Sequence, residues 1–290
     1  MNLGLSLSGG GIKGAAHIGV LKALEEEKIK INYISGTSSG SIVATLYAIG
    51  YKPDEILNIF RKYGKKIKYY DYKKILKLFF GIILKRKIII DGLTDGKVIT
   101  DLMNKMCKEK NITNIKDVKI PLLIPAVSVC DGEIYFFSSI LKRNTFSDNI
   151  QYIDNINLAS AVRASCSYPG VFTPYKINGD KIIDGGVREN TPWKGLKEIG
   201  ADKVIGVIFE KQIKEKNTIN IIDVIENSLN IMGHELSNYE LDGIDGIISI
   251  KTDNVGLLQV EKIDELYEEG YLQAKKQIKR TKTKIQLSVV

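Results

Sequence analysis

Ser38 lies in Gly36-Thr37-Ser38-Ser39-Gly40, a Gly-Xaa-Ser-Xaa-Gly arrangement. Glycines on either side let the chain reverse sharply and lift a hydroxyl clear of the backbone, as a serine nucleophile at a strand-to-helix junction requires. Earlier in the chain, Ser8-Gly9-Gly10-Gly11-Ile12-Lys13-Gly14 forms a second glycine-rich turn. Consecutive glycine amides ahead of a helix can converge on one oxygen, and the positive end of the helix adds to the pull, so this turn suits an anion or an oxyanion. A hydroxyl attacks only when a base takes its proton. The sequence contains two histidines, His17 and His234. His17 shares a helical face with Val20, Leu21 and Leu24, the pattern of a packed core residue. His234 falls nearly opposite the stripe Ile222, Ile225, Leu229, Met232 and Leu236 and is expected to face solvent. Asp184, in Asp184-Gly185-Gly186 directly after Ile182 and Ile183, is the stronger candidate base, with a plain turn aspartate as the bland alternative. To act as a base at neutral pH its carboxylate needs burial that raises its pKa. The chain order Ser38, Asp184, His234 also matches that of an α/β-hydrolase triad, which stands as the other assignment.

The elements that must carry these residues can be read from the spacing of apolar side chains. Asn2–Ser8 reads as a strand running into the glycine cluster, and Gly14–Glu27 as a helix. Ile29–Ser35 reads as a second strand, succeeded by a turn of small residues and a helix from about Ser39 to Ile49. Helical spacing recurs over Pro53–Tyr63, Leu158–Ala164 and near Pro192–Ile199, and strands are expected at Leu122–Val129, Glu133–Ser138, Lys181–Ile183 and Lys203–Phe209. Strands alternating with helices imply an α/β fold with a largely parallel sheet covered on both faces. If the first two strands are neighbours, both glycine turns open at the same edge of the sheet and a glycine triplet faces a serine, which suits acyl transfer. Gly9, Gly11 and Gly14 also satisfy the dinucleotide fingerprint, but that reading wants an acid at the end of the second strand, and Ser35 runs straight into Gly36.

Taken together, these residues resemble the patatin-like phospholipases. The glycine-rich turn with Gly9, Gly10, Gly11, Lys13 and Gly14, the elbow with Gly36, Ser38 and Gly40, and the distal Asp184-Gly185-Gly186 occur in the family's order. The stretch Ala164-Ser165-Cys166-Ser167-Tyr168-Pro169-Gly170-Val171-Phe172-Thr173-Pro174 precedes the last of them, as in the family. The likeness runs from about Leu3 to Ile208. It implies a three-layer patatin-like fold and a Ser–Asp dyad with Ser38 as nucleophile and Asp184 as base. It also implies an oxyanion hole at Gly9, Gly10 and Gly11, lipid ester substrates, and neither metal nor cofactor. Ser8 stands where plant members often carry Asp, and Lys13 where many carry Arg; both changes keep the backbone donors. Cys166 reads as a buried thiol without chemistry.

Composition bounds the rest. The chain has 290 residues, 44% hydrophobic, enough for one large domain or two small ones. We expect a main unit over 1–210 with an inserted basic cap at about 61–90, and an extension of helix and strand over 211–290 packed on it. Three cysteines, Cys107, Cys130 and Cys166, are too few and too far apart for a zinc module and fit reduced thiols. The longest apolar run, Ile75–Leu84, is interrupted by Lys77 and falls far short of the roughly 20 residues that span a bilayer. Between Arg61 and Lys87 stand eleven basic residues and one acid, interleaved with Tyr69, Tyr70, Tyr72, Phe79 and Phe80. Basic, aromatic and aliphatic side chains together favour the surface of an anionic bilayer, whereas no nucleic-acid recognition motif accompanies the charge. A cytoplasmic protein in peripheral contact with membrane is therefore expected. A membrane- or anion-binding module with an inert site is the alternative to an enzyme.

Overall fold

The structure, a computed structural model, describes residues 1–66, 91–141, 149–210, 221–252, 255–256 and 259–285. Its centre is β1 (Leu3–Leu7), buried at every position and flanked in parallel by β2 (Tyr33–Gly36) and β8 (Lys203–Glu210). Beyond β8 lies β9 (Gly246–Lys251), also parallel. On the other side come β3 (Leu122–Ser128), parallel to β2, then β4 (Ile134–Ser138), antiparallel to β3, and β5 (Ile150–Ile153). Two further strands, β6 (Tyr175–Ile177) and β7 (Asp180–Asp184), pair with each other, and β7 also pairs antiparallel with β3.

Alternation along the strands sorts side chains into two cores, because successive residues point to opposite faces. Leu3, Leu5 and Leu7 of β1, Leu122 and Ile124 of β3, and Ile205 and Val207 of β8 enter the larger one. Leu123 and Val204 enter the smaller one, with Trp193 and Leu196 of the short helix α6 (Trp193–Glu198). The larger core is covered by α1 (Gly14–Glu26), α2 (Ser39–Ala48), α3 (Pro53–Gly64), α4 (Lys97–Glu109), α5 (Leu158–Ser165) and α8 (Ile263–Ile285), whose buried apolar residues join it. A further helix, α7 (Ile221–Glu240), precedes β9. The fold is the expected α/β arrangement with a mostly parallel central sheet between helices.

One expected strand boundary moves by several residues. The second strand begins at Tyr33, not Ile29. Lys28 takes φ 54°, which ends α1, and the Ile29 amide returns to Leu24 O at 2.9 Å. Ile29 and Ile31 are thus buried as a helix-to-strand connection, so their apolar character reflects packing and not a ladder. The segment after Glu210, which carries no assignable sequence motif, adds β9 to the sheet and lays α8 across α1. Residues 67–87 of the basic stretch lie outside the described residues.

The crossing of α1 and α8 depends on two glycines. A Cβ on Gly19 would overlap the Tyr267 carbonyl oxygen, and one on Gly270 would overlap the Ala16 carbonyl oxygen. Gly270→Ala is therefore expected to lower stability by about 1–3 kcal/mol, the usual cost of overpacking. Gly233→Ala, where a Cβ would meet no atom within 4 Å, should be neutral or stabilising. Thermal unfolding of the two variants beside wild type checks the contrast.

Candidate active site

Two strands approach one another along the same edge of β3. β2 runs parallel to it, with Ser35 opposite Leu123, and β7 runs antiparallel to it, with Asp184 opposite Ala126. Their carboxyl ends therefore point at each other. β2 continues directly into the elbow Thr37–Ser38, and β7 ends at Asp184. The two residues are brought together by strand direction alone.

Ser38 is the N-cap of α2, with φ 52° and ψ −122°. A non-glycine residue there is strained, by about 1–3 kcal/mol, and persists only when its surroundings hold it. Its amide donates to Ser165 Oγ at 3.1 Å. Its carbonyl accepts the Ser41 amide at 2.9 Å and the Ser41 hydroxyl at 2.6 Å. The glycines of the elbow answer to close approach. A Cβ on Gly36 would overlap the Gly40 carbonyl oxygen, and one on Gly40 would stand 2.5 Å from Leu7 O. Ser38 itself is half-buried.

Asp184 is 3% exposed. Its Oδ1 accepts the Gly186 amide at 2.9 Å, whereas Oδ2 is buried without a hydrogen-bond partner. Burial pushes the pKa from 3.8 up to about 6; the Ser38 hydroxyl, the Gly186 amide and the Arg163 charge pull the other way and only moderate it. The Ser38 hydroxyl is thus near enough to favour the ionised carboxylate, yet it falls short of a closed hydrogen bond.

The glycine turn lies against the elbow, since a Cβ on Gly9 would meet Ser38 Cβ at 3.3 Å. Gly9 donates its amide to Asn190, at 3.0 Å to Oδ1 and 3.3 Å to the carbonyl oxygen. Of the three expected oxyanion donors, Gly9 is therefore already engaged within the protein. Among the described residues the amides of Gly10, Gly11 and Ser39 have no partner. Gly10 backs onto the Phe209 ring, Lys13 returns its amide to Gly10 O at 3.2 Å, and Gly14 opens α1 against Ser39. Gly185 and Gly186 form the 3-10 turn after Asp184, with Gly185 pressed on Pro125.

His17 is not brought to Ser38 and Asp184. His17 is fully buried and its ring stacks 4.6 Å from Phe209. Its Nε2–H donates to Ser8 O at 2.8 Å, and burial pushes its pKa down to about 4, so it stays neutral. It is a core histidine as expected, although Nδ1 is left without a partner. His234 falls on α7 and its side chain lies outside the described residues. Cys166 is buried, with its thiol pushed up to about 12 by burial and the Asp184 charge.

A model of the patatin-like phospholipase family matches residues 5–197. The chain belongs to the patatin-like phospholipase family. This places it among the lipid ester hydrolases. It is 32% identical over 228 residues to the uncharacterised protein YqhO of Bacillus subtilis, covering 76% of this chain and 75% of that one. It is 26% identical over 300 residues to lysophospholipase NTE1 of Meyerozyma guilliermondii, and 28% identical over 205 residues to that of Saccharomyces cerevisiae. These alignments span 94% and 71% of this chain but only 19% and 10% of those much longer proteins. Among solved structures, VipD from Legionella pneumophila shares the fold, with a TM-score of 0.51 at 16% identity over 97% of this chain and 67% of that one.

Several positioning residues escape sequence reasoning. Asn190, which holds Gly9, is itself held through its amide to Glu240 Oε2 at 3.1 Å, and Thr191 donates to Glu240 Oε1 at 2.6 Å. Glu240 comes from the far end of α7, and no spacing could have connected it to the glycine turn. Burial pushes its pKa up, and so does the charge of its hydrogen-bonded neighbour Glu189. Ser165 and Arg163 were closer to legible, because a serine and an arginine interrupt a helix otherwise rich in Leu158, Ala159, Ala161, Val162 and Ala164.

Burying an ionisable carboxyl costs stability only while it is charged. With its pKa raised from 3.8 to about 6, Asp184 destabilises the fold progressively as pH rises from 4 through 6, and the penalty is complete above that window. Asp184→Asn should therefore melt higher than wild type at pH 8, by up to about 3 kcal/mol, with the gain fading towards pH 4. Thermal melts across that range check the sign.

Proposed function

We propose that this protein is a serine lipid acyl hydrolase of the phospholipase A or lysophospholipase type, cleaving carboxylic ester bonds through a Ser38–Asp184 dyad. The observation that carries this reading is the buried, unpartnered Oδ2 of a carboxyl held at a raised pKa beside a strained, half-exposed serine. The names of the NTE1 relatives support a lipid or lysolipid substrate.

Asp184 takes the proton of Ser38 as Oγ bonds to the ester carbonyl carbon and the carbonyl electron pair moves onto oxygen. That oxyanion is held by the free amides of Gly10 and Gly11 and by Ser39 at the positive end of α2, with Gly9 fixing the turn through Asn190. Collapse breaks the bond to the leaving alkoxide, which takes the proton from Asp184 and departs. Water then gives its proton to Asp184, attacks the acyl-enzyme, and releases the fatty acid with Ser38 reprotonated. Asp184 must be ionised to begin, so kcat/KM is expected to rise through about pH 6 and stay level above it.

Hydrolysis of a short p-nitrophenyl ester and of phospholipid vesicles tests the reading. Ser38→Ala should abolish both activities and Asp184→Asn should lower them by about 10²–10⁴ while the protein stays folded. His234→Ala and a chelator should leave both unchanged; loss with His234→Ala favours the triad instead. Wild type inactive on every ester favours the binding module.

Peripheral contact with anionic membrane is a separate part of the reading and rests on the charge between Arg61 and Lys87. Among the described residues no helix is long and apolar enough to cross a membrane. Neutralising Lys65, Lys66, Lys73 and Lys74 should weaken binding to vesicles containing phosphatidylserine and spare hydrolysis of the soluble ester. Loss of both together would assign the segment to the fold.

A further inference from the structure

Arg163 is 1% exposed, the largest fully buried side chain among the described residues. Its guanidinium donates to Asp95 O from Nε at 3.1 Å and from Nη2 at 2.6 Å, to Thr173 O at 2.9 Å, and to Ser167 Oγ at 2.7 Å. It also lies over the rings of Phe172 at 5.4 Å and Tyr175 at 5.8 Å. A Cβ on Gly96 would stand 2.5 Å from its Nε, so the chain at that turn leaves room for it. All these acceptors are neutral. Among the described residues the guanidinium forms no ion pair, and a buried charge without a counter-charge is costly.

Of the two carboxylates whose charge acts on it, Asp95 and Asp184, Asp184 is the buried one, and a short covalent and hydrogen-bonded route joins it to Arg163. Ser167 receives Arg163 Nη1 on its hydroxyl, returns that hydroxyl to Arg163 O at 3.1 Å, and accepts the Asp184 amide on its carbonyl at 3.1 Å. One turn away, Ser165 holds the Ser38 amide. The charged and titratable groups around Asp184 are Ser38 from the elbow and Arg163 and Cys166 from α5 and its end; Arg163 alone among them is a cation. Around Arg163 stand Asp95, Tyr175, Cys166 and Asp184.

We propose that Arg163 is a positioning residue for Asp184: its buried positive charge keeps the carboxylate ionised, and its grip on Ser167 fixes the strand end from which Asp184 projects. The inference rests on the dyad reading. It assigns a task to a charge that the fold would otherwise bury at a cost. Asp184 is poised between burial, which would keep it protonated, and the Ser38 hydroxyl, the Gly186 amide and the Arg163 charge, which together favour the anionic form a base needs.

The test compares Arg163→Gln, which keeps hydrogen-bond donors but loses the charge, with Arg163→Lys, which keeps the charge but not the planar fork. For each, kcat and KM on a soluble p-nitrophenyl ester are measured against pH. Arg163→Gln should move the acid limb of kcat/KM measurably upward, lowering kcat with KM little changed. Arg163→Lys should lower kcat while the limb stays where wild type has it. A folded Arg163→Gln with the wild-type limb overturns the proposal, as does an equal shift in both variants. A stability cycle with Asp184→Asn at pH 8 gives a readout independent of turnover. The cost of Arg163→Gln should be smaller in the Asp184→Asn background than in wild type, and strict additivity contradicts the coupling. If Arg163→Gln fails to fold in either background, Arg163→Lys decides, an acid limb moved upward from wild type contradicting the proposal. Failure of the dyad reading looks different, because Ser38→Ala or Asp184→Asn would then retain activity.

Discussion

Everything at the site depends on one edge of β3 accepting two strands that run in opposite directions. β2 occupies the edge at Leu122–Leu123 and β7 occupies it at Ala126–Ser128. Because the first is parallel and the second antiparallel, their carboxyl ends converge, and the chain must leave both through tight turns. A serine at one turn and an aspartate at the other then meet without any loop having to search for the geometry. The rigidity of the sheet sets their separation, which is what a nucleophile and base require more than any flexible arrangement can supply.

That convergence has energetic consequences that the surrounding structure absorbs. Ser38 sits in a strained backbone conformation, and Asp184 buries a carboxyl with one oxygen unpaired. Both features raise the energy of the folded state, and the burial raises the pKa of the Asp184 carboxyl. Compensation comes from the neighbours. Ser165 and Ser41 hold the elbow, and Asn190 and Glu240 hold the glycine turn. The helix that begins at Ser39 has its positive end at Ser38. The large core beneath α1, α2 and α8 supplies the stability that offsets these costs, and the close crossing at Gly19 and Gly270 keeps α1, and so the glycine turn, in register with the sheet.

Much of this was legible in the sequence because the decisive signals are local. Gly36-Thr37-Ser38-Ser39-Gly40 and the glycine triplet carry their own backbone requirements, and the buried strands β1, β3 and β8 announce themselves as apolar runs. Pairing between distant segments is the part that could not be read. Nothing in Asp180–Asp184 says that it enters antiparallel beside β3, and nothing in Asn190 says that its side chain takes the Gly9 amide. That second contact engages the amide of Gly9, one of the three glycines expected to face an oxyanion, within the protein. Ile29 and Ile31 mislead for a related reason, since burial and strand pairing are different conditions and apolar content reports only the first. Beyond Glu210 the chain obeys ordinary packing patterns, so β9 and α8 had no motif to reveal their places.

The central claim is that Ser38 attacks because Asp184 takes its proton. Covalent capture addresses it most directly: wild type and Asp184→Asn are treated with a fluorophosphonate lipid analogue, and the modified residue is found by peptide mapping while the rate is measured against pH. The account predicts a single adduct on Ser38, forming faster as pH climbs through about 6 and slowed by about 10²-fold or more in Asp184→Asn. An adduct on another residue, or Asp184→Asn labelled at the wild-type rate, would contradict it.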